Sequence, residues 1–182
     1  MAFENNVFIN CPFDNEYLLL LKPLVFEIVY LGFKPKLSQN ISSSNIRING
    51  IKQLISNCKY SIHDLSRSKA MQEDELPRFN MPYELGLDIG ALEFGNPILR
   101  TKKILILETE KYHYQKVISD IAGQDIENHD DNPYTLITKV RNWFSVNLNQ
   151  RPVGQRKIWI AYNQFIDDLF TEFKNVDYTD EE

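Results

Sequence analysis

Seven glycines and two cysteines among 182 residues exclude several chemistries before any motif is read. There is no G-x-G-x-x-G after the first strand-like run and no G-x-x-x-x-G-K-[ST], so neither a dinucleotide fingerprint nor a P-loop is present. No G-x-S-x-G elbow occurs, which leaves a hydrolase serine unsupported. Cys11 and Cys58 are too few for a disulfide framework and lack the paired spacing of a zinc site. Both adjoin apolar segments and read as buried free thiols of a reducing compartment. Positive charge is not in excess either. The formal net charge of −5 argues against a protein that wraps duplex nucleic acid, though not against a local basic pocket for one phosphorylated ligand. A long apolar run is missing too: "YLLLLKPLVFEIVYLGF" is interrupted by Lys22, Pro23 and Glu27, so no membrane span is expected. The opening "MAFENNVFINC" lacks the basic and then apolar pattern of a signal peptide, and a cytoplasmic location is the expectation.

What is present has the balance of a globular protein, 43 % hydrophobic and 25 % charged. Strand and helix signals alternate. "NVFINC" reads as a strand closed by the turn residues "PFD". A helix over 16–31 follows, with Pro23 bending it and Gly32 as its stop. "FKPKLS" reads as a weak second strand. A helix to about Asn57 comes next, capped by Asn45 or a neighbouring serine. "KYSIHDL" is a third strand, and after a polar loop a helix runs from about Met81 to Phe94. "KKILILE" is the clearest strand. "YHYQKVISDI" reads as helical and "QDIENHD" as a short edge strand. "NPYTLITKVRNWFSVNL" reads as a helix capped by Asn132 with Pro133 in its first turn. A last amphipathic helix spans about Lys157 to Phe173, before an acidic tail.

About five strand–helix repeats predict a flavodoxin-like, doubly wound α/β sheet, all parallel, with an extra C-terminal helix. The expected division is 1–150 for the α/β domain and 151–182 for the helix and tail packed on it. In such sheets ligands bind beyond the carboxyl ends of the strands, at the switch in strand order. Polar residues gather where that rule points: Asn10, Phe13 and Asp14 after strand one, and Asp64, Ser66 and Arg67 after strand three. Arg78, Asn80 and Glu84 lie around the start of the next helix.

Each has an ordinary reading beside the functional one. An early-helix glutamate favours the positive end of the dipole. Asp64 is equally placed as a turn residue, and loop arginines are usually just solvated. His63, in an alternating strand, is better read as a satisfied core histidine. His113 and His129 have no metal-ligand spacing, so no metal site is supported. Tyr112, Tyr114, Trp143, Phe144, Trp159, Phe165 and Phe170 fall mostly at helical spacing and suit packing. Cys11 ends strand one as a phosphatase nucleophile would, without the glycine-rich anion loop and arginine that such a nucleophile needs.

Two stretches carry a resemblance. "VFINCPFD" resembles the start of TIR-like domains, and "FNMPYELGLDIGA" resembles the glutamate-bearing segment of nucleoside 2-deoxyribosyltransferases. The likeness extends from Asn6 to about Trp143, in element order more than in identity. The Trp-Cys pair that precedes the glutamate in many TIR domains is replaced by Met81, Pro82 and Tyr83, and the transferase Asp-Gly-Thr is absent. The resemblance implies cleavage of the N-glycosidic bond of NAD or a related nucleotide, in a stress or phage-defence setting. Glu84 would be catalytic and Asp64 would lie near the ribose. Asn10, Phe13 and Asp14 would line the nucleotide pocket. Ser66, Arg67, Arg78 and Asn80 complete the expected substrate-binding set, with either arginine holding a phosphate. No cofactor is needed beyond the nucleotide itself, and a homo-oligomer is implied, with the last helix as a candidate contact. The alternative is a non-catalytic nucleotide sensor or adaptor using the same crevice. A receiver-like phosphoacceptor fits Asp64 and Asp14 only loosely, because the acidic pair after strand one is missing.

Overall fold

The computed structural model describes residues 2–38, 46–67, 79–112, 118–121, 124, 126–149 and 152–174. A single turn, α1 (Ala2–Asn5), leads into β1 (Asn6–Asn10), α2 (Leu18–Tyr30), β2 (Lys34–Leu37) and α3 (Arg47–Asn57). Then come β3 (Tyr60–Asp64), α4 (Asn80–Phe94), β4 (Lys103–Glu108), β5 (Ile126–Asn128), α5 (Pro133–Asn147) and α6 (Gln155–Lys174). The five strands form one parallel sheet in the order β2-β1-β3-β4-β5. This is the flavodoxin-like order, and the switch falls between β1 and β3.

Parallel strands covered on both faces must bury both sets of side chains, which explains the unbroken apolar runs. On one face Val7, Ile9, Tyr60, Ile62, Leu105 and Leu107 pack against Leu24 and Ile28 of α2 and Leu136, Val140 and Phe144 of α5. On the other, Phe8 packs with Ile51 and Ile55 of α3, while Leu65 and Ile106 pack with Met81 and Leu85 of α4. Burying each such side chain is worth roughly 1.5–3 kcal/mol.

Local signals set several boundaries. Gly32, at φ +87°, reverses the chain after α2, and the Phe33 amide donates to the Ile28 carbonyl at 3.0 Å. Asn132 caps α5 through its Oδ1, which accepts from the Thr135 amide at 2.9 Å. The helix expected over 112–121 differs. Tyr112 adopts φ +66°, which interrupts a right-handed helix, and Ser119–Ile121 form a 3-10 turn. Residues 113–117 lie outside the described set, as does the α3 cap expected at Asn45 or the serines before it.

The last helix lies against α2 and α5. Its Tyr162 and Phe165 rings sit 5.5 and 5.4 Å from Phe26 of α2. Arg141 of α5 donates to the carbonyls of Pro152 and Val153, which fixes the connection into α6. Among the described residues no helix is long and apolar enough to cross a membrane.

Candidate functional site

Because side chains alternate along a strand, the neighbours His63 and Asp64 at the end of β3 point to opposite faces of the sheet. Each anchors a buried polar cluster, and both clusters sit at the carboxyl edge.

Asp64 is fully buried on the α2/α5 face. Its Oδ2 accepts from the Tyr17 hydroxyl at 2.6 Å and from His129 Nε2 at 3.0 Å. Its Oδ1 accepts from the Ser66 amide at 2.9 Å and from the Ser66 hydroxyl. Burial alone would raise its pKa; the bonds and charge from His129 and the bonds from Ser66 and Tyr17 outweigh this and hold it below the usual value. Burial pushes His129 down, but its bond to Asp64 and that residue's charge set it above the ordinary histidine value. The Tyr17 phenol, buried and beside that carboxylate, is raised well above its ordinary range. Asp64 is thus an ionised, saturated acceptor. His129 Nε2 faces both Ser66 Oγ, at 3.0 Å, and Asp64. A nucleophile–base–acid relay needs the two imidazole nitrogens on different partners, so Ser66 is not an activated nucleophile.

On the α3/α4 face Asn10 Nδ2 uses its two protons on the Met81 carbonyl, at 3.1 Å, and His63 Nδ1, at 3.0 Å. That assigns the histidine proton to Nε2, which donates to Asp88 Oδ2 at 2.9 Å. Lys102 Nζ lies 3.1 Å from Asp88 Oδ1 and donates to the carbonyls of Ile55, at 2.9 Å, and Cys58. Burial raises Asp88, and the bond from His63 with the charge of Lys102 more than reverses it. This chain ties β1, β3, α3 and α4 together. The Asn10–Met81 bond fixes the start of α4, one turn ahead of Glu84.

Glu84 is different. It is 4 % exposed, and its Oε2 is buried with no hydrogen-bond partner among the described residues. Burial raises its pKa, and the charge of Arg47, at the start of α3, opposes this. Arg47 itself donates to Ser38 Oγ, just beyond β2, at 3.0 Å. Glu84 is the fifth residue of α4, and no acidic residue stands in the first turn, so a dipole-capping role does not account for it. The Cys11 thiol feels Asp64, Asp14 and Glu84; burial and these charges push it well up, so it stays a neutral thiol.

Buried carboxylates are usually satisfied, and an unsatisfied one is costly unless it has a task. Among the described residues Glu27, fully buried in α2, also has both carboxylate oxygens without a hydrogen bond, but it sits in the second half of α2. Glu84 sits at the carboxyl edge beside Cys11 and the Asn10–Met81 bond, and that position together with the unpartnered oxygen makes it the reactive candidate. Compared with protein-family models, curated proteins and solved structures, the chain finds no match. The functional reading rests on geometry.

The other expected residues divide. Asn10 and Asp64 reach the carboxyl edge but spend their polar groups internally, as does Ser66. Phe13 is half-buried and packs against the α2/α5 core. Asp14 Oδ1 accepts from the Tyr17 amide at 2.9 Å. Arg67 is paired with Glu16 at 2.9 Å and lies 3.5 Å from Asp14, so its charge is already matched. Asn80 is exposed at the first position of α4. Arg78, and most of the loop 66–79 considered as a lid, fall outside the described residues. Tyr17, Arg47, Asp88, Lys102 and His129 were not singled out as site residues. His129 follows β5 at the same carboxyl edge, where the switch-point rule would have found it. Asp88 stands four residues after Glu84, on one helical face.

Proposed function

We propose that this protein is an N-glycosidase that cleaves the ribosyl–base bond of NAD or a related nucleotide, with Glu84 as the catalytic carboxylate. The observation that carries the reading is the buried Oε2 of Glu84 at the carboxyl edge, which no described residue hydrogen-bonds. Breaking a ribosyl–base bond builds oxocarbenium character at the anomeric carbon. A carboxylate oxygen already withdrawn from water and from hydrogen-bond partners, as Glu84 Oε2 is among the described residues, stabilises that charge more strongly than a solvated one. From NAD the nicotinamide leaves as a neutral base, so one carboxylate suffices and no acid is required. Water then adds at the anomeric carbon and releases a proton. Arg47, whose charge Glu84 feels, is better placed than the already paired Arg67 to hold a substrate phosphate. The exposed Phe165, Phe170 and Phe173 of α6 offer a surface for a homo-oligomer.

The test is incubation with NAD, NADP and a nucleoside panel, with released base followed by chromatography for wild type and Glu84→Gln. The reading expects release by wild type and a loss of about 10²–10³-fold in the variant, the scale for removing one preorganised electrostatic group. A variant that cleaves as fast as wild type would refute it. Equal nucleotide binding by both proteins with cleavage by neither would instead favour a sensor.

A further inference from the structure

At the opposite, amino edge of the sheet lies a cleft of about 560 Å³. β5 pairs with Ile106, Leu107 and Glu108 near the carboxyl end of β4, so the cleft lies beside the first residues of β4, Lys103, Ile104 and Leu105. Its volume is within the roughly 300–1,000 Å³ of small-molecule sites. Trp143 of α5 lines it, half-buried and held edge-on by Tyr60 and Phe144. Arg100 and Lys103 line it as well.

The state of these cations decides what the cleft suits. Arg100 uses Nε on the Gly95 carbonyl, at 3.0 Å, and among the described residues its guanidinium meets no carboxylate. The Lys103 ammonium has no ion-pair partner among the described residues. Glu127, the acidic residue of the lining, is paired with Lys139 at 2.6 Å and so does not cancel them. Lys102 also borders the cleft, but its side chain is buried and its ammonium is committed to Asp88 and two carbonyls. Two unmatched cations beside a rigid indole form a recognition set for a planar ring that carries a phosphate.

We propose that this cleft is a second ligand site, for a phosphorylated aromatic ligand of the nucleotide class, separate from the Glu84 site. The ring stacks on or abuts Trp143, and Arg100 and Lys103 hold the phosphate. The proposal does not depend on the N-glycosidase reading, because it uses no residue of that site.

The experiment takes a Trp159→Phe background, in which Trp143 is the one tryptophan left, and titrates it with ADP while its fluorescence is read. Adenosine and inorganic phosphate serve as separate arms. ADP is expected to change the emission saturably, with adenosine and phosphate each binding at least tenfold more weakly. Adding Arg100→Gln and Lys103→Gln, both exposed, should weaken ADP by at least tenfold with an unchanged melting temperature. Adding Glu84→Gln instead should leave the Trp143 response as it was. The proposal is overturned if ADP gives no saturable change or if the two charge substitutions leave its affinity intact. Phosphate alone matching ADP would overturn the aromatic part and mean an adventitious ion only.

Discussion

Replacing Glu84 by Gln should make the protein more stable at neutral pH, the reverse of what removing a structural carboxylate does. The Glu84 side chain is buried and its Oε2 has no hydrogen-bond partner among the described residues. A buried unsatisfied polar atom costs about 1–3 kcal/mol, and more when charged. The Arg47 charge offsets part of that, and the Gln amide must still be accommodated, so a net gain of about 1–2 kcal/mol is expected. For a chain of this size each kcal/mol moves Tm by about 2–4 °C. The pH dependence fixes the cause. The folded-state pKa of Glu84 is raised above its ordinary value of 4.5. The ionised form is then penalised on folding: the penalty is absent below the unfolded pKa, appears as pH rises through it, and is complete above the folded pKa. The advantage of Glu84→Gln should therefore be full at pH 7–8 and shrink towards zero near pH 4. Urea unfolding of both proteins across that range gives the comparison directly. A variant less stable than wild type at pH 7, or a gain that ignores pH, refutes the argument that Glu84 is an unsatisfied buried carboxylate.

Three further outcomes follow from the polar clusters. Tyr17→Phe removes a 2.6 Å bond to an ionised acceptor and should cost about 1.5–3 kcal/mol at neutral pH. Because Asp64 is held below its ordinary 3.8, that loss should fade only as pH falls through the lowered folded value, which urea unfolding of the pair can follow. His129 is raised above 6.5, so its contribution is full below that pH and is lost as pH rises through the higher folded value. Wild-type stability should decline along that limb, and urea midpoints of His129→Gln should show no such decline. Lys102→Met strands the Asp88 carboxylate in the interior and should cost about 3–5 kcal/mol in chemical denaturation. A second change, Asp88→Asn, should recover part of it; no recovery would mean that the two carbonyl bonds of Lys102 dominate.

The sheet was legible because each strand is a short apolar run and the helices between them are periodic, two signals that survive without tertiary context. The carboxyl edge was legible by topology alone. Of the nine residues expected there, Asn10, Asp64, Ser66 and Glu84 are buried at it. Phe13, Asp14, Arg67 and Asn80 pack, pair or face solvent around it, and Arg78 lies outside the described residues. Which carboxylate at that edge keeps an oxygen without a hydrogen bond among the described residues was not legible. Asp64 and Glu84 look alike in sequence; Asp64 is satisfied by Tyr17, 47 residues away, and His129, 65 residues away. Separations of that kind leave no local trace. Lys102 shows the same limit. A lysine ahead of a strand reads as solvated, yet its ammonium reaches the carbonyls at the end of α3 and the buried Asp88. The interrupted segment at Tyr112 failed for another reason, since a left-handed tyrosine has no signature in the apolar spacing that suggested a helix there.

The most direct test of the central claim is a crystal structure of Glu84→Gln with intact NAD. The account predicts the nicotinamide ribose at the carboxyl edge, with its anomeric carbon about 3–3.5 Å from the residue 84 side chain and a phosphate towards Arg47. NAD bound elsewhere, or bound with its ribosyl–base bond remote from residue 84, would contradict it.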